Sequence, residues 1–271
     1  MNLVVKKGLD KKYFENVISN INKRIKIPEN VVFYIIEDKE DCGPISNNLS
    51  EELKKDFNNV CKRNVSFSYS HNEDNYIIID IKNENYLLDD SVALEGLILH
   101  ELMHSKFSHD FNKKINLDLK KVLFENINKL NIHKDDFEII IRMMNYSKLL
   151  LKELYANELL VKKKFSDKLI TYYLKQFSKK VNSAVLFKKG SKENILKFEL
   201  SLLSVVWSLE KFKTNNFDIL KNTIEKNYSI KLKETERSFN KLKKLYFKNF
   251  RNKDFNILFF EEVFNVINKR L

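Results

Sequence analysis

Residues 94–108 read LEGLILHELMHSKFS, and the rest of the chain is organised around the helix this stretch predicts. His100 and His104 are four residues apart, so on a helix their side chains stand about 40° apart around the axis and reach the same point in space. Glu101 projects about 100° away from His100, which suits a carboxylate that holds a water near that point without binding there itself. The segment from Val92 to Met103 is apolar almost all round (Val92, Leu94, Leu97, Ile98, Leu99, Leu102, Met103), the composition of a helix buried at the centre of a domain. Onto that surface it places two imidazoles and a carboxylate, which are costly to bury without partners. A metal ion is such a partner. Asp89, Asp90 and Ser91 supply a cap and favourable charge at the helix start. Ala93 and Gly96, on the histidine side, are expected to leave room beside the ion.

His100-Glu101-Leu102-Met103-His104 is the HExxH pattern of zinc metallopeptidases. A catalytic zinc takes three protein ligands and keeps a fourth position for water. The metzincin arrangement is excluded as the source of the third, because His109 follows His104 by five residues rather than six and no glycine intervenes. Glu153 is the better candidate. It lies in the run LLLKELYANELLV, residues 149–161, and shares a helical face with Tyr146, Leu149, Leu150, Ala156, Asn157 and Leu160. A carboxylate centred in an apolar stripe calls for a buried partner, and a metal is one. Asn157, one turn on, is placed to orient a histidine ligand by a hydrogen bond. Glu158 is a weaker candidate, since its face is only partly apolar.

HExxH followed downstream by Glu in an E-x-x-A-N/D setting resembles the gluzincin side of the zincin superfamily. Glu153-x-x-Ala156-Asn157 is similar to the ImmA/IrrE-type peptidases, and the form with Asp in place of Asn recurs in HtpX-like and CAAX-prenyl-protease-like enzymes. The likeness covers the two helices and the strand before the first. It implies zinc bound by His100, His104 and Glu153, Glu101 as catalytic base, and Asn157 supporting the ligands. His104 and Glu153 are 49 positions apart, longer than the ImmA/IrrE pattern leads one to expect, and the membrane spans of the HtpX and CAAX types are missing, so the family within the superfamily stays open. In gluzincins an edge strand before the metal helix binds extended substrate by main-chain hydrogen bonds. Tyr76, Ile77, Ile78 and Ile79 occupy that position in the chain, although the pattern fits an ordinary core strand equally well.

With 271 residues the chain is long enough for one large domain or two small ones. Four glycines and two prolines are few, which predicts long helices. Cys42 and Cys61 lack metal-binding spacing and give no disulfide framework, so a reducing, cytoplasmic setting is expected. The N-terminus shows no signal-peptide pattern, and the longest apolar stretch, Phe198 to Leu209, is interrupted by Glu199 and too short to span a bilayer. The net charge of +12 suits nucleic acid, an anionic membrane or an acidic protein. Because the lysines are spread along nearly every predicted helix among acidic residues, a solvated surface is the favoured explanation and nucleic acid the weaker one.

In chain order the patterns predict a helix over residues 9–25, a buried strand over Val31 to Ile36, a loop over 38–48, a helix from Ser50 to Cys61, and a hairpin of Val65–Ser70 with Tyr76–Ile81. After the HExxH helix come helices over 115–130 and 135–146, the second running on or kinking into the Glu153 helix. Further helices follow over 167–181, 192–212, 217–228, 231–250 and 254–271, with Gly190 and Ser191 as a cap junction. The expected fold class is α+β, predominantly helical: a zincin-like catalytic domain with a small N-terminal β-sheet and an active-site helix, over residues 1–165, then a helical C-terminal region, 166–271. Trp207 and the aromatics Tyr246, Phe247, Phe250, Phe255, Phe259 and Phe260 are expected to pack as core.

The expected function is that of a zinc-dependent endopeptidase acting on a peptide or protein, with Tyr146, His71 and His133 as candidates to stabilise the oxyanion. The alternative is a zincin-fold protein that binds or regulates through its basic helices, without turnover or with its action restricted to one partner.

Overall fold

The computed structural model describes the chain except residues 1, 48, 64–65, 72–73, 108, 128–133, 179–190, 211–213, 251 and 271. Val65, Gly190 and His133, each named above, lie outside the described residues, as does the end of the helix expected over 167–181. So do the side chains of His71 and His109. The fold is α+β and predominantly helical, with one four-stranded sheet in the N-terminal part. The described residues fall into two units, residues 1–106 with 162–176, and residues 107–161 with 177–271. The chain thus enters each unit twice, a different division from a single cut at 165/166.

In the first unit the sheet has the order β1-β2-β4-β3, with β1 Asn2–Val5, β2 Val31–Ile36, β3 Phe67–His71 and β4 Asp74–Asp80. β1, β2 and β4 run parallel, while β3 pairs antiparallel with β4 as the outer arm of the expected hairpin. Helix α1 (Lys11–Arg24) is the crossover between β1 and β2, capped by Asp10, whose carboxylate accepts the Tyr13 backbone N–H at 3.2 Å. β1 was not foreseen, because a four-residue strand shows only Leu3, Val4 and Val5 as its signal.

The register assigns the two faces of the sheet. Phe33 pairs with Ile77 and Ile35 with Ile79, and all four are buried on one face. Tyr34 pairs with Ile78 on the other, where Ile36, Ile78 and Phe67 join Cys42, Ile45, Leu49, Phe57 and Cys61 in an apolar cluster. That cluster is roofed by the one-turn helix α2 (Gly43–Ser46) and by α3 (Glu51–Arg63). The expected loop over 38–48 is therefore largely helical, since Lys39–Cys42 also forms a 3-10 turn, capped by Asp38 and Asp41. Within the cluster the sulfurs of Cys42 and Cys61 are 3.3 Å apart, a proximity their spacing in sequence did not suggest.

Helix α4 (Ser91–His104) carries the HExxH residues. Asp90 caps it, accepting the backbone N–H groups of Val92 and Ala93 at 3.1 Å. Every residue from Ala93 to Met103 is buried, and α4 packs on α1, β3 and β4. It ends at His104 instead of continuing, and α5 (His109–Ile127) starts afresh. The 162–176 segment of this unit contains most of α7 (Ser166–Ser178).

The second unit holds α5, most of the 29-residue α6 (Lys134–Lys162), α8 (Lys192–Glu210), α9 (Asn215–Tyr228), α10 (Leu232–Ser238), α11 (Asn240–Asn249) and α12 (Phe255–Arg270). The expected single helix over 231–250 is two, broken at Phe239, which is buried. Trp207, Tyr246, Phe255, Phe259 and Phe260 form core, while Phe247 is exposed. Among the described residues no helix is long and apolar enough to cross a membrane.

Candidate metal centre

On α4 the two histidines sit as their spacing requires. His100 Nε2 and His104 Nε2 are 3.1 Å apart with the rings nearly perpendicular, His100 buried and His104 half-buried. Two nitrogens bound to one tetrahedral zinc, each about 2.05 Å from the ion, stand about 3.3 Å apart. The pair is therefore already spaced as two ligands of one such ion. Glu101 is buried on the same helix. Glu153 sits in the middle of α6, half-buried, with Ala156, Asn157 and Leu160 buried on its face. Leu149, assigned to the same apolar stripe, is instead half exposed.

One nitrogen of each histidine and one carboxylate oxygen of Glu153 all lie within 4.8 Å of one another. Among the described residues this is the one group of three or more His, Cys, Asp or Glu side chains so gathered. Two imidazoles and a carboxylate fit a borderline-soft divalent cation such as zinc. Glu158 is not part of the group, and its carboxylate accepts the Tyr246 hydroxyl, with burial and that carboxylate pushing the phenol's pKa upward.

α6 is held by a relay that sequence did not show. The Tyr155 hydroxyl donates to Asn256 Oδ1 at 3.0 Å, and Asn256 Nδ2 donates to Asp118 Oδ2 at 3.1 Å. The Tyr155 ring also packs edge-on or tilted among Phe111, Phe250 and Phe255, and burial raises its pKa to about 12, so the phenol stays a donor. These contacts fix the roll of α6 two residues from Glu153.

Two expectations need correction. The Tyr76–Ile79 strand is not an edge. β4 is paired with β2 on one side and β3 on the other, and Tyr76, Ile77 and Ile78 have partners on both sides. With both rows of backbone groups engaged and Ile77, Ile78 and Ile79 fully buried, the strand has no free row to offer an extended peptide. Gly96 does not leave room for a metal either. A Cβ there would sit 2.8 Å from Tyr172 Cβ and closer still to the Lys168 carbonyl oxygen, so its side is filled by α7.

α7 also supplies residues that sequence reasoning missed. The rings of Tyr172 and Tyr173 lie 6.4 and 6.3 Å from the His100 ring, centre to centre. Burial, with Glu84 and other acidic neighbours including Glu101, pushes the Tyr172 pKa well up, so it faces the histidine as a neutral phenol. The periodicity of α7 marks both tyrosines as core, and nothing in it says which helix they meet. Of the oxyanion candidates, the Tyr146 hydroxyl bonds Ser201 and donates to the Lys197 carbonyl at 3.2 Å, both on α8. The chain matches no protein-family profile, no curated protein and no solved structure.

Proposed function

We propose that this protein is a zinc-dependent endopeptidase of the gluzincin kind, with His100, His104 and Glu153 as metal ligands and Glu101 as general base. The observation that carries the reading is the convergence of the three donors, two of them on a helix buried from Ala93 to Met103. When bound, zinc supplies Lewis-acid polarisation of a carbonyl and lowers the pKa of a water toward neutrality. The chain's own residues do the rest. Glu101 takes a proton from the attacking water and delivers it to the leaving amine, and the buried surroundings of α4 strengthen its electrostatic hold on that water. Asn157, buried one turn from Glu153, is placed to support the ligand set.

Metal content and peptide hydrolysis, measured together on the wild type and on Glu101→Gln, test the proposal. About one zinc per chain in both proteins, with cleavage of a peptide library in the wild type only, is the expected outcome. A chain that binds no zinc after loading and removal of excess removes the peptidase reading. Zinc bound without hydrolysis of any peptide or protein supports the non-catalytic, regulatory alternative.

A further inference from the structure

We propose that Cys42 and Cys61 are an oxidative modification site, closing to an intramolecular disulfide when the protein meets a peroxide. The two sulfurs are 3.3 Å apart and both side chains are buried. A disulfide bond is about 2.05 Å long, so the sulfurs need approach by only about 1.3 Å. Each is held by a different element, Cys42 at the end of the 39–42 turn and Cys61 near the end of α3. Both elements are packed into the same cluster with Ile36, Ile45, Phe57 and Ile78, so the thiols are kept in register instead of meeting by chance. They take no part in the one metal-ligating group found among the described residues.

The chemistry balances. One cysteine, as thiolate, attacks a peroxide oxygen. The O–O bond breaks, and the sulfur becomes a sulfenic acid while the leaving oxygen departs as water with the thiol proton. The second thiol then attacks that sulfur, the S–S bond forms, and the S–OH oxygen leaves as a second water. Two thiols lose two electrons and one hydrogen peroxide gains them. Both thiols are buried, so the first step waits on local opening that admits the peroxide. The second step is fast because the partner sulfur is adjacent, and it forestalls overoxidation. The product ties residues 42 and 61, 19 positions apart, and restricts the unfolded chain accordingly.

The test uses the full-length reduced chain treated with a small molar excess of hydrogen peroxide, then unfolded in the presence of N-ethylmaleimide and weighed intact. The expected product is lighter than the reduced chain by two hydrogen atoms, carries no maleimide, and yields a peptide linking residues 42 and 61. Its Tm is higher by roughly 5 °C or more and returns to the starting value with dithiothreitol. Cys42→Ala treated alike shows no such rise and keeps Cys61 as a thiol or a sulfinic acid. Two maleimides on each treated wild-type chain, overoxidation at either sulfur, or a disulfide between chains would each overturn the proposal.

Discussion

Gly96 on α4 lies directly against the backbone of Lys168 on α7, so close that even a methyl group has no place there. On either side of this crossing, the Lys168 ammonium is paired with the buried Glu95 carboxylate and the Tyr172 ring lies beside His100. α7 therefore sets where α4 sits, and with it the position of the two histidines.

Gly96→Ala is expected to destabilise the protein by about 2–3 kcal/mol, because the atoms it meets are backbone and a Cβ, which yield only if the helices separate. A denaturant titration checks this. An unchanged midpoint would mean that the helices part at no cost.

Removing a proposed ligand is expected to abolish or weaken zinc binding. His100→Ala and His104→Ala should purify without zinc, and Glu153→Gln should weaken zinc binding by about 100-fold or more, while Glu158→Gln should leave it unchanged. Competition with a chromophoric chelator measures each. Wild-type affinity in Glu153→Gln would transfer the third-ligand role elsewhere.

Glu101→Gln keeps the shape of the side chain and discards the proposed base. It should retain zinc and lower kcat by about 10²–10⁴-fold, with KM little changed. Equal loss of zinc and activity would make Glu101 a ligand instead.

In the second unit, Glu193 on α8 accepts both the Arg142 guanidinium and the Lys197 ammonium, and the bond to Arg142, with that to Lys197, holds its pKa below the usual 4.5. A carboxylate with a lowered folded-state pKa adds stability that is fully present above its unfolded value and is lost as the pH falls through the folded one. Glu193→Gln should thus be less stable than wild type at neutral pH, with the gap closing below about pH 4. Urea midpoints at both pH values measure the gap, and a gap independent of pH would count against the ion pair.

Elements with a strong local period were legible in the chain. β2 falls on Val31–Ile36 as expected, and the α4 helix and its Asp90 cap follow from composition alone. For the long α6 the sequence left open whether two segments run on or kink, and the structure makes them one helix through Glu153. Where the local signal was thin the reading failed, as at β1 and at the break beside Phe239.

By itself the sequence determined the α+β class, the HExxH helix and the face on which its histidines lie, because each depends on intervals of a few residues set by the helix and strand periods. Only the tertiary structure decided that β4 is interior, that Gly96 is filled by α7, that Tyr172 and Tyr173 meet His100, and that two cysteines 19 positions apart touch. These are pairings between elements distant in the chain. Periodicity states that a face must be buried, and it carries no term for which other face will cover it.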